Sequence, residues 1–145
     1  MSIALISTGT ELLKGSVVNT NSAFIGRELA SAGLQVIADF TIGDHPRELY
    51  AALSDALKLA DIAVITGGLG PTRDDLSLDA AARFFGLKLE SDPVLEEKVT
   101  AFWHRRHTGR VPGLVLKQAR RPADSVVLDN PNGSAGGIAF RTVYD

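Results

Sequence analysis

The chain contains no cysteine, and this absence excludes disulfide bonds, thiolate metal sites and a cysteine nucleophile. It also lacks an excess of positive charge, since 15 lysines and arginines stand against 17 aspartates and glutamates, for a formal net charge of −2. General nucleic-acid binders need a basic surface, so we expect no nucleic-acid partner. No apolar run approaches the ~18 residues of a membrane-spanning helix, and no signal-peptide pattern is present. We therefore expect a cytoplasmic protein with no membrane partner.

The composition is that of an ordinary globular protein. Hydrophobic residues make up 45% of the 145 positions, and charged residues make up 22%. These values exclude disordered and collagen-like classes. A chain of this length predicts one domain over residues 1–145.

The first 70 residues alternate between short apolar runs and amphipathic segments. The runs predict strands over residues 3–6, 34–42 and 62–66. Between them, Asn21 is expected to cap a helix that Gly33 ends, and Pro46 is expected to begin a second helix. This β-α-β-α-β order predicts an α/β fold with a parallel sheet.

The second half is less regular. Helices are predicted over residues 78–85 and from Asp92, as cap, to about residue 107. Residues 108–121 are expected to form a loop and a short helix, with residues 120–122 at a loop edge. Strands are predicted over residues 126–128 and 138–143.

Three glycine-rich loops follow predicted strands. They cover residues 9–15 (with the polar triplet 19–21), 67–75 and 130–137. In parallel α/β sheets, ligands bind beyond the carboxyl ends of the strands, where backbone amides and helix N-termini point outward. We therefore expect the three loops to converge on one cleft that attracts anions and cations together.

The loop of residues 67–75 carries the most information. Gly67, Gly68 and Gly70 allow a ligand to approach the backbone, and successive amides can form a nest for phosphate oxygens. Asp74 and Asp75 place two carboxylates beside that nest, an arrangement that suggests Mg²⁺-type chemistry. The alternative is a tight turn in which Asp74 caps the following helix.

The other two loops could contribute to the same site. Glu11 could complete a carboxylate cluster with Asp74 and Asp75, and Lys14 could meet a phosphate. Alternatively, Glu11 and Lys14 belong to a solvated surface. Ser134 and its neighbouring amides offer another anion-binding turn, or a plain loop between strands. Neither the P-loop spacing nor the dinucleotide fingerprint is present, which disfavours both nucleotide folds.

The three loops together resemble the N-terminal domain of the competence/damage-inducible protein A (CinA) family, within the MoaB/Mog molybdopterin-binding fold. The residues that carry the resemblance are Gly9-Thr10-Glu11-Leu12-Leu13 with Gly15, Asn19-Thr20-Asn21, Gly43-Asp44, Gly67 to Thr72 with Asp74-Asp75, Lys117-Gln118-Ala119, and Asn130-Pro131 with Gly133. This resemblance implies a three-layer α/β/α sandwich with a mostly parallel sheet.

The resemblance also implies a function. The CinA branch looks like a pyrophosphatase that cleaves ADP-ribose with a divalent metal, Mg, Mn or Co. The alternatives are molybdopterin binding or adenylylation, or a non-catalytic ligand-binding or dimerisation module. Relatives form homo-oligomers, dimers or trimers. Many add a C-terminal nicotinamide-nucleotide amidohydrolase domain, for which this chain has no residues.

On the pyrophosphatase hypothesis, each loop supplies residues to the site. The expected catalytic residues are Glu11, Lys14, Asp74 and Asp75, of which Glu11, Asp74 and Asp75 would bind the metal. The residues expected to bind the nucleotide or pterin are Gly9, Thr10, Asn19, Asn21, Gly67, Gly68, Gly70, Thr72, Asn130, Gly133 and Ser134.

Overall fold

The computed structural model describes residues 1–143. The chain divides into two compact units, with the boundary between Gly68 and Leu69. The elements of the first unit are β1 (Ser2–Thr8), α1 (Thr10–Leu13), α2 (Thr20–Ser31), β2 (Gln35–Ile42), α3 (Pro46–Leu59) and β3 (Ile62–Thr66). No helix within residues 1–143 combines the length and the apolar character needed to cross a membrane.

The first unit is built on a parallel sheet. Its strand order is β2-β1-β3, and both neighbours of β1 run parallel to it. The central strand is apolar and buried from Ile3 to Ile6, as is typical of an inner strand of a parallel sheet. Leu49, Leu53 and Ala56 of α3 are buried at helical spacing. The α/β class and the parallel sheet predicted from the alternation are confirmed.

The helix ends of the first unit differ in one respect from the prediction. Asn19, not Asn21, caps α2, since its side-chain oxygen accepts a hydrogen bond from the Ser22 amide at 3.1 Å. Asn21 lies one residue inside the helix and is exposed. Gly33 follows the helix with a φ of +74°, as predicted for a glycine stop. Pro46 is the first residue of α3, also as predicted.

The second unit contains shorter elements. They are α4 (Ser77–Phe84), β4 (Leu89–Ser91), α5 (Pro93–His104), α6 (Gly113–Leu116), a 3-10 helix (Lys117–Ala119), β5 (Arg120–Pro122), β6 (Ser125–Leu128) and β7 (Gly137–Phe140). The pairs β4–β5 and β6–β7 are both antiparallel. The core of this unit includes Leu95, Val99, Val115 and Ala119.

Three predictions for the second unit are wrong in their bounds. The segment Arg120–Pro122 is a strand, because it pairs with Leu89–Ser91. Helix α5 ends at His104, before residue 107, since the next two amides bond three residues back and tighten the chain into a turn. Strand β7 ends at Phe140 rather than at residue 143. Asp92 caps α5 as predicted, by accepting hydrogen bonds from the amides of Val94 and Leu95.

Candidate functional site

Gly67 sits where β3 ends, and its environment in the first unit requires a glycine. Its φ is +88°. A Cβ added at this position would lie 2.2 Å from the carbonyl oxygen of Thr8, at the end of β1. The close approach of backbone to backbone therefore fixes this residue, independently of any ligand. Gly68, the last residue of the unit, is also at positive φ.

The loop after β1 is tied to the loop after β2. The amide of Gly9 donates to the carbonyl oxygen of Ile42 at 3.0 Å. The amide and hydroxyl of Thr10 donate to one carboxylate oxygen of Asp44, at 3.0 Å and 2.9 Å. Thr10 and Gly9, both predicted to bind ligand, thus hold the shape of the loop. Sequence reasoning did not include Asp44 in the site, although Gly43-Asp44 contributes to the resemblance.

Both the nitrogen and the oxygen of the Asn19 side-chain amide form hydrogen bonds within the fold. Its nitrogen donates to the hydroxyl of Ser7 at 2.8 Å, and its oxygen caps α2. Ser7 is 1% exposed and also lies 3.3 Å from the Thr66 hydroxyl, so Asn19 satisfies a buried polar group at the end of β1. Asn19 therefore ties the start of α2 to the end of β1.

Two predicted catalytic residues of the first unit, Glu11 and Lys14, are exposed. The Glu11 carboxylate lies over Gly9, so close that a Cβ built on that glycine would be 2.6 Å from Oε1. Glu11 also stands in the first turn of α1, where a negative charge is favourable. Their catalytic roles stay predictions.

In the second unit, Asp75 closes the loop that precedes α4. The hydroxyl and amide of Thr72 donate to its Oδ2, at 2.6 Å and 2.8 Å. Burial by itself would raise the pKa of Asp75, but the hydrogen bonds from Thr72 and Gly70 and the charge of Lys117 outweigh it and lower the pKa below its ordinary value. Asp75 is therefore an ionised side chain whose hydrogen bonds hold its own loop in shape. A Cβ on Gly70 would lie 2.5 Å from Asp75 Oδ2.

Asp74, its neighbour, behaves differently. Its side chain is exposed, and no hydrogen bond or ion pair joins it to another residue of the described second unit. It does not cap α4, which begins at Ser77 without a side-chain cap. The alternative role suggested by the sequence is thus wrong for Asp74, and the ordering role belongs to Asp75.

Lys117 and Gln118 lie outside this loop in the sequence and form hydrogen bonds to it. The residues predicted for the site include neither of them. The ammonium of Lys117 donates to the carbonyl oxygens of Thr72 and Asp75, the second at 2.6 Å. The buried Gln118 donates from Nε2 to the carbonyl oxygen of Leu69 at 2.9 Å. Their presence in the Lys117-Gln118-Ala119 triplet of the resemblance was the only signal in the sequence that could have identified them.

The third loop joins the second through Gln118. The hydroxyl of Ser134 lies 3.1 Å from Gln118 Oε1 and donates to it. Asn130 braces the loop from within, since its nitrogen donates to the Ala135 carbonyl at 2.8 Å and its oxygen accepts from the Asn132 amide at 3.0 Å. Gly133 packs directly against the Asn130 amide. The structure thus brings residues 69–75 and 130–135 together within one unit.

The grouping of acidic and histidine side chains bears on the predicted metal site. Within residues 1–143, no three histidine, aspartate or glutamate side chains are grouped so that they could hold an ion. In addition, Oδ2 of Asp75 already accepts two hydrogen bonds from Thr72 of its own loop. The metal-binding roles of Glu11, Asp74 and Asp75 stay predictions, as does the convergence of all three predicted loops.

Comparison with known proteins agrees with the resemblance noted in the sequence. Residues 4–137 match the family described as "Probable molybdopterin binding domain". The competence-damage inducible protein of Moorella thermoacetica is 44% identical over 138 residues, which cover 95% of this chain and 33% of that protein. The corresponding protein of Clostridioides difficile is 42% identical and is covered to 34%. The chain thus spans about a third of the length of these relatives.

Solved structures give the same result. The protein CinA from Thermoplasma acidophilum, described as of unknown function, matches with a TM-score of 0.81 and 35% identity, over 94% of this chain and 79% of that one. MoaB from Pyrococcus furiosus, a tungsten cofactor synthesizing protein, matches with a TM-score of 0.56 and 23% identity, over 72% of this chain and 64% of that one. The second likeness shows the fold alone. The chain belongs to the molybdopterin-binding-domain family, in its competence-damage inducible (CinA) branch.

Proposed function

We propose that the chain binds a phosphate-bearing pterin or nucleotide at a site formed by two loops, residues 69–75 and 130–136. The observation that supports this most strongly is Gln118, a buried side chain that donates to Leu69 of one loop and accepts from Ser134 of the other. A buried amide with both ends engaged fixes the distance between the two loops before a ligand arrives. Preorganisation of this kind lowers the entropic cost of binding.

The chemistry of the two loops suits an anion. The first loop contains Gly70 and the second contains Gly133 and Gly136, and successive main-chain amides in such loops can form a nest for phosphate oxygens. The Asp75 carboxylate already accepts hydrogen bonds from Thr72 within the first loop. The match to a molybdopterin-binding family supports a pterin as one ligand class.

Isothermal titration calorimetry with ADP-ribose, AMP and a stable pterin phosphate tests the proposal. The decisive variant is Gln118→Met, which keeps the side-chain length and removes both bonds. Gln35→Met is the matched control, because Gln35 is exposed on β2. We expect Gln118→Met to weaken binding about tenfold, the cost of two lost hydrogen bonds. Equal affinity in both variants, or no binding by the wild type, would contradict the proposal.

A second candidate function is cleavage of the ADP-ribose pyrophosphate bond, which needs a divalent metal. The observation that favours it is Asp74, an exposed carboxylate that has no hydrogen-bond or ion-pair partner among the described residues of its unit. Mg²⁺ is commonly held by one or two carboxylates together with substrate phosphates, so a dedicated protein site is not required. We assign no step to the metal.

The activity test is incubation with ADP-ribose and Mg²⁺, Mn²⁺ or Co²⁺, followed by chromatography of AMP and ribose 5-phosphate. Asp74→Asn should abolish turnover with the fold unchanged, whereas Asp124→Asn, at an exposed aspartate of the same unit, should not. Turnover unaffected by Asp74→Asn would remove Asp74 from the reaction. Binding without turnover in the wild type would favour a pterin-binding or non-catalytic module. Light scattering tests the predicted dimer or trimer on the same samples.

A further inference from the structure

Lys117 places a positive charge at the loop of residues 69–75, in a position fixed by the main chain. Its side chain is partly buried, and its Nζ donates to the carbonyl oxygens of Thr72 and Asp75. Both acceptors are neutral groups. The two bonds therefore hold the ammonium in place without cancelling its charge.

The charge of the ammonium acts on the Asp75 carboxylate, whose pKa it helps to lower. No carboxylate of the described second unit forms an ion pair with Lys117. Two acidic side chains of the unit have other partners: Asp79 pairs with Arg120 at 2.8 Å, and Asp75 accepts hydrogen bonds from Thr72. An ammonium has three N–H donors, and the main chain takes two.

We infer that Lys117 is a ligand-binding residue, whose remaining N–H donates to a phosphate oxygen and makes the site selective for anions. The inference rests on the proposed function, since it assumes that the ligand sits at these loops. It assigns the phosphate contact within the second unit to Lys117, a residue that the sequence prediction did not include. A lysine bound to loop carbonyls is held rigidly, so little side-chain entropy is lost when the phosphate arrives.

The test uses the full chain and two probes, ADP-ribose and inorganic pyrophosphate. Lys117→Met should weaken the binding of both by roughly ten- to a hundredfold, the range for a lost charge-assisted hydrogen bond. Lys117→Arg keeps the charge and should retain most of the affinity. Lys88→Met is the control, since Lys88 lies on the surface of the same unit and pairs only with Glu90, at 3.1 Å.

A second measurement separates contact from a purely structural role. In carbon-13 spectra of the wild type, pyrophosphate should shift the ε-methylene signal that is missing from Lys117→Met, and should leave the Lys88 signal in place. If the wild type binds and Lys117→Met binds equally well, this inference is wrong and the proposed function stands. If the wild type binds neither probe, the inference is wrong, and the titration with the pterin phosphate decides the proposed function. If Lys117→Met does not fold, the spectrum of Lys117→Arg identifies the Lys117 signal instead, and an unshifted signal overturns the inference.

Discussion

Replacement of Gly67 by alanine tests whether this glycine serves the fold or the ligand. Two costs can be read from the structure. An alanine at a φ of +88° adopts a left-handed conformation, which costs about 1–2 kcal/mol. Its Cβ would also lie 2.2 Å from the Thr8 carbonyl oxygen, and overpacking of this kind costs roughly 1–3 kcal/mol. We expect Gly67→Ala to lower the free energy of unfolding by about 2–5 kcal/mol.

The matched control is Gly33→Ala, in the same unit. Its φ of +74° is similar, but nothing lies within 4 Å of the added Cβ. It should cost only the conformational part, about 1–2 kcal/mol. Urea denaturation followed by circular dichroism measures both variants. If Gly67→Ala is no less stable than Gly33→Ala, the contact with β1 does not constrain this position, and a role for Gly67 in ligand approach becomes the better explanation.

Three further predictions follow from single side chains. Asn19→Ala should lower the free energy of unfolding by about 1–2 kcal/mol, since it removes a helix cap and a partner of buried Ser7, whereas Asn21→Ala should change it by less than about 0.5 kcal/mol in the same urea titration. Because the pKa of folded Asp75 is lowered, its ionised form stabilises the fold above its unfolded pKa, near 3.9, and this contribution is lost as the pH falls through the folded pKa. The stability difference between wild type and Asp75→Asn should therefore shrink below about pH 4, and a constant difference across a pH series would contradict the assignment. The melting temperature should fall from wild type to Asp92→Asn to Asp92→Ala, because asparagine keeps the cap of α5 while losing the charge that pairs with Arg121 at 2.6 Å; the reverse order of the two variants in a thermal melt would refute this.

Asp74 and Asp75 show that a local sequence pattern does not determine the role of each side chain in it. The sequence gives two adjacent carboxylates beside a glycine-rich loop and predicts the same role for both. In the structure one accepts three hydrogen bonds within its loop and the other is exposed. The difference arises from the turn of the backbone between Gly70 and Asp75, which directs successive side chains in different directions. No spacing rule contains that information.

Lys117 and Gln118 show the same limit over a longer distance. Lys117 contacts residues 42 and 45 positions away, and Gln118 reaches Leu69, 49 positions away. Strands β4 and β5 were missed for a related reason, since three residues are too few to show alternation and only their pairing defines them.

The sequence by itself determined the α/β class, the three parallel strands, most helix starts and stops, and membership of the family. These depend on hydrophobic periodicity, on capping residues and on a run of loop residues that local chemistry makes specific. Only the tertiary structure decided which polar side chains hold the loops in place through hydrogen bonds, such as Asn19, Asp75 and Gln118, and which remain exposed, such as Asp74. Hydrogen bonds between residues far apart in the chain make that division, and they form only when the backbone has brought donor and acceptor within about 3 Å of each other.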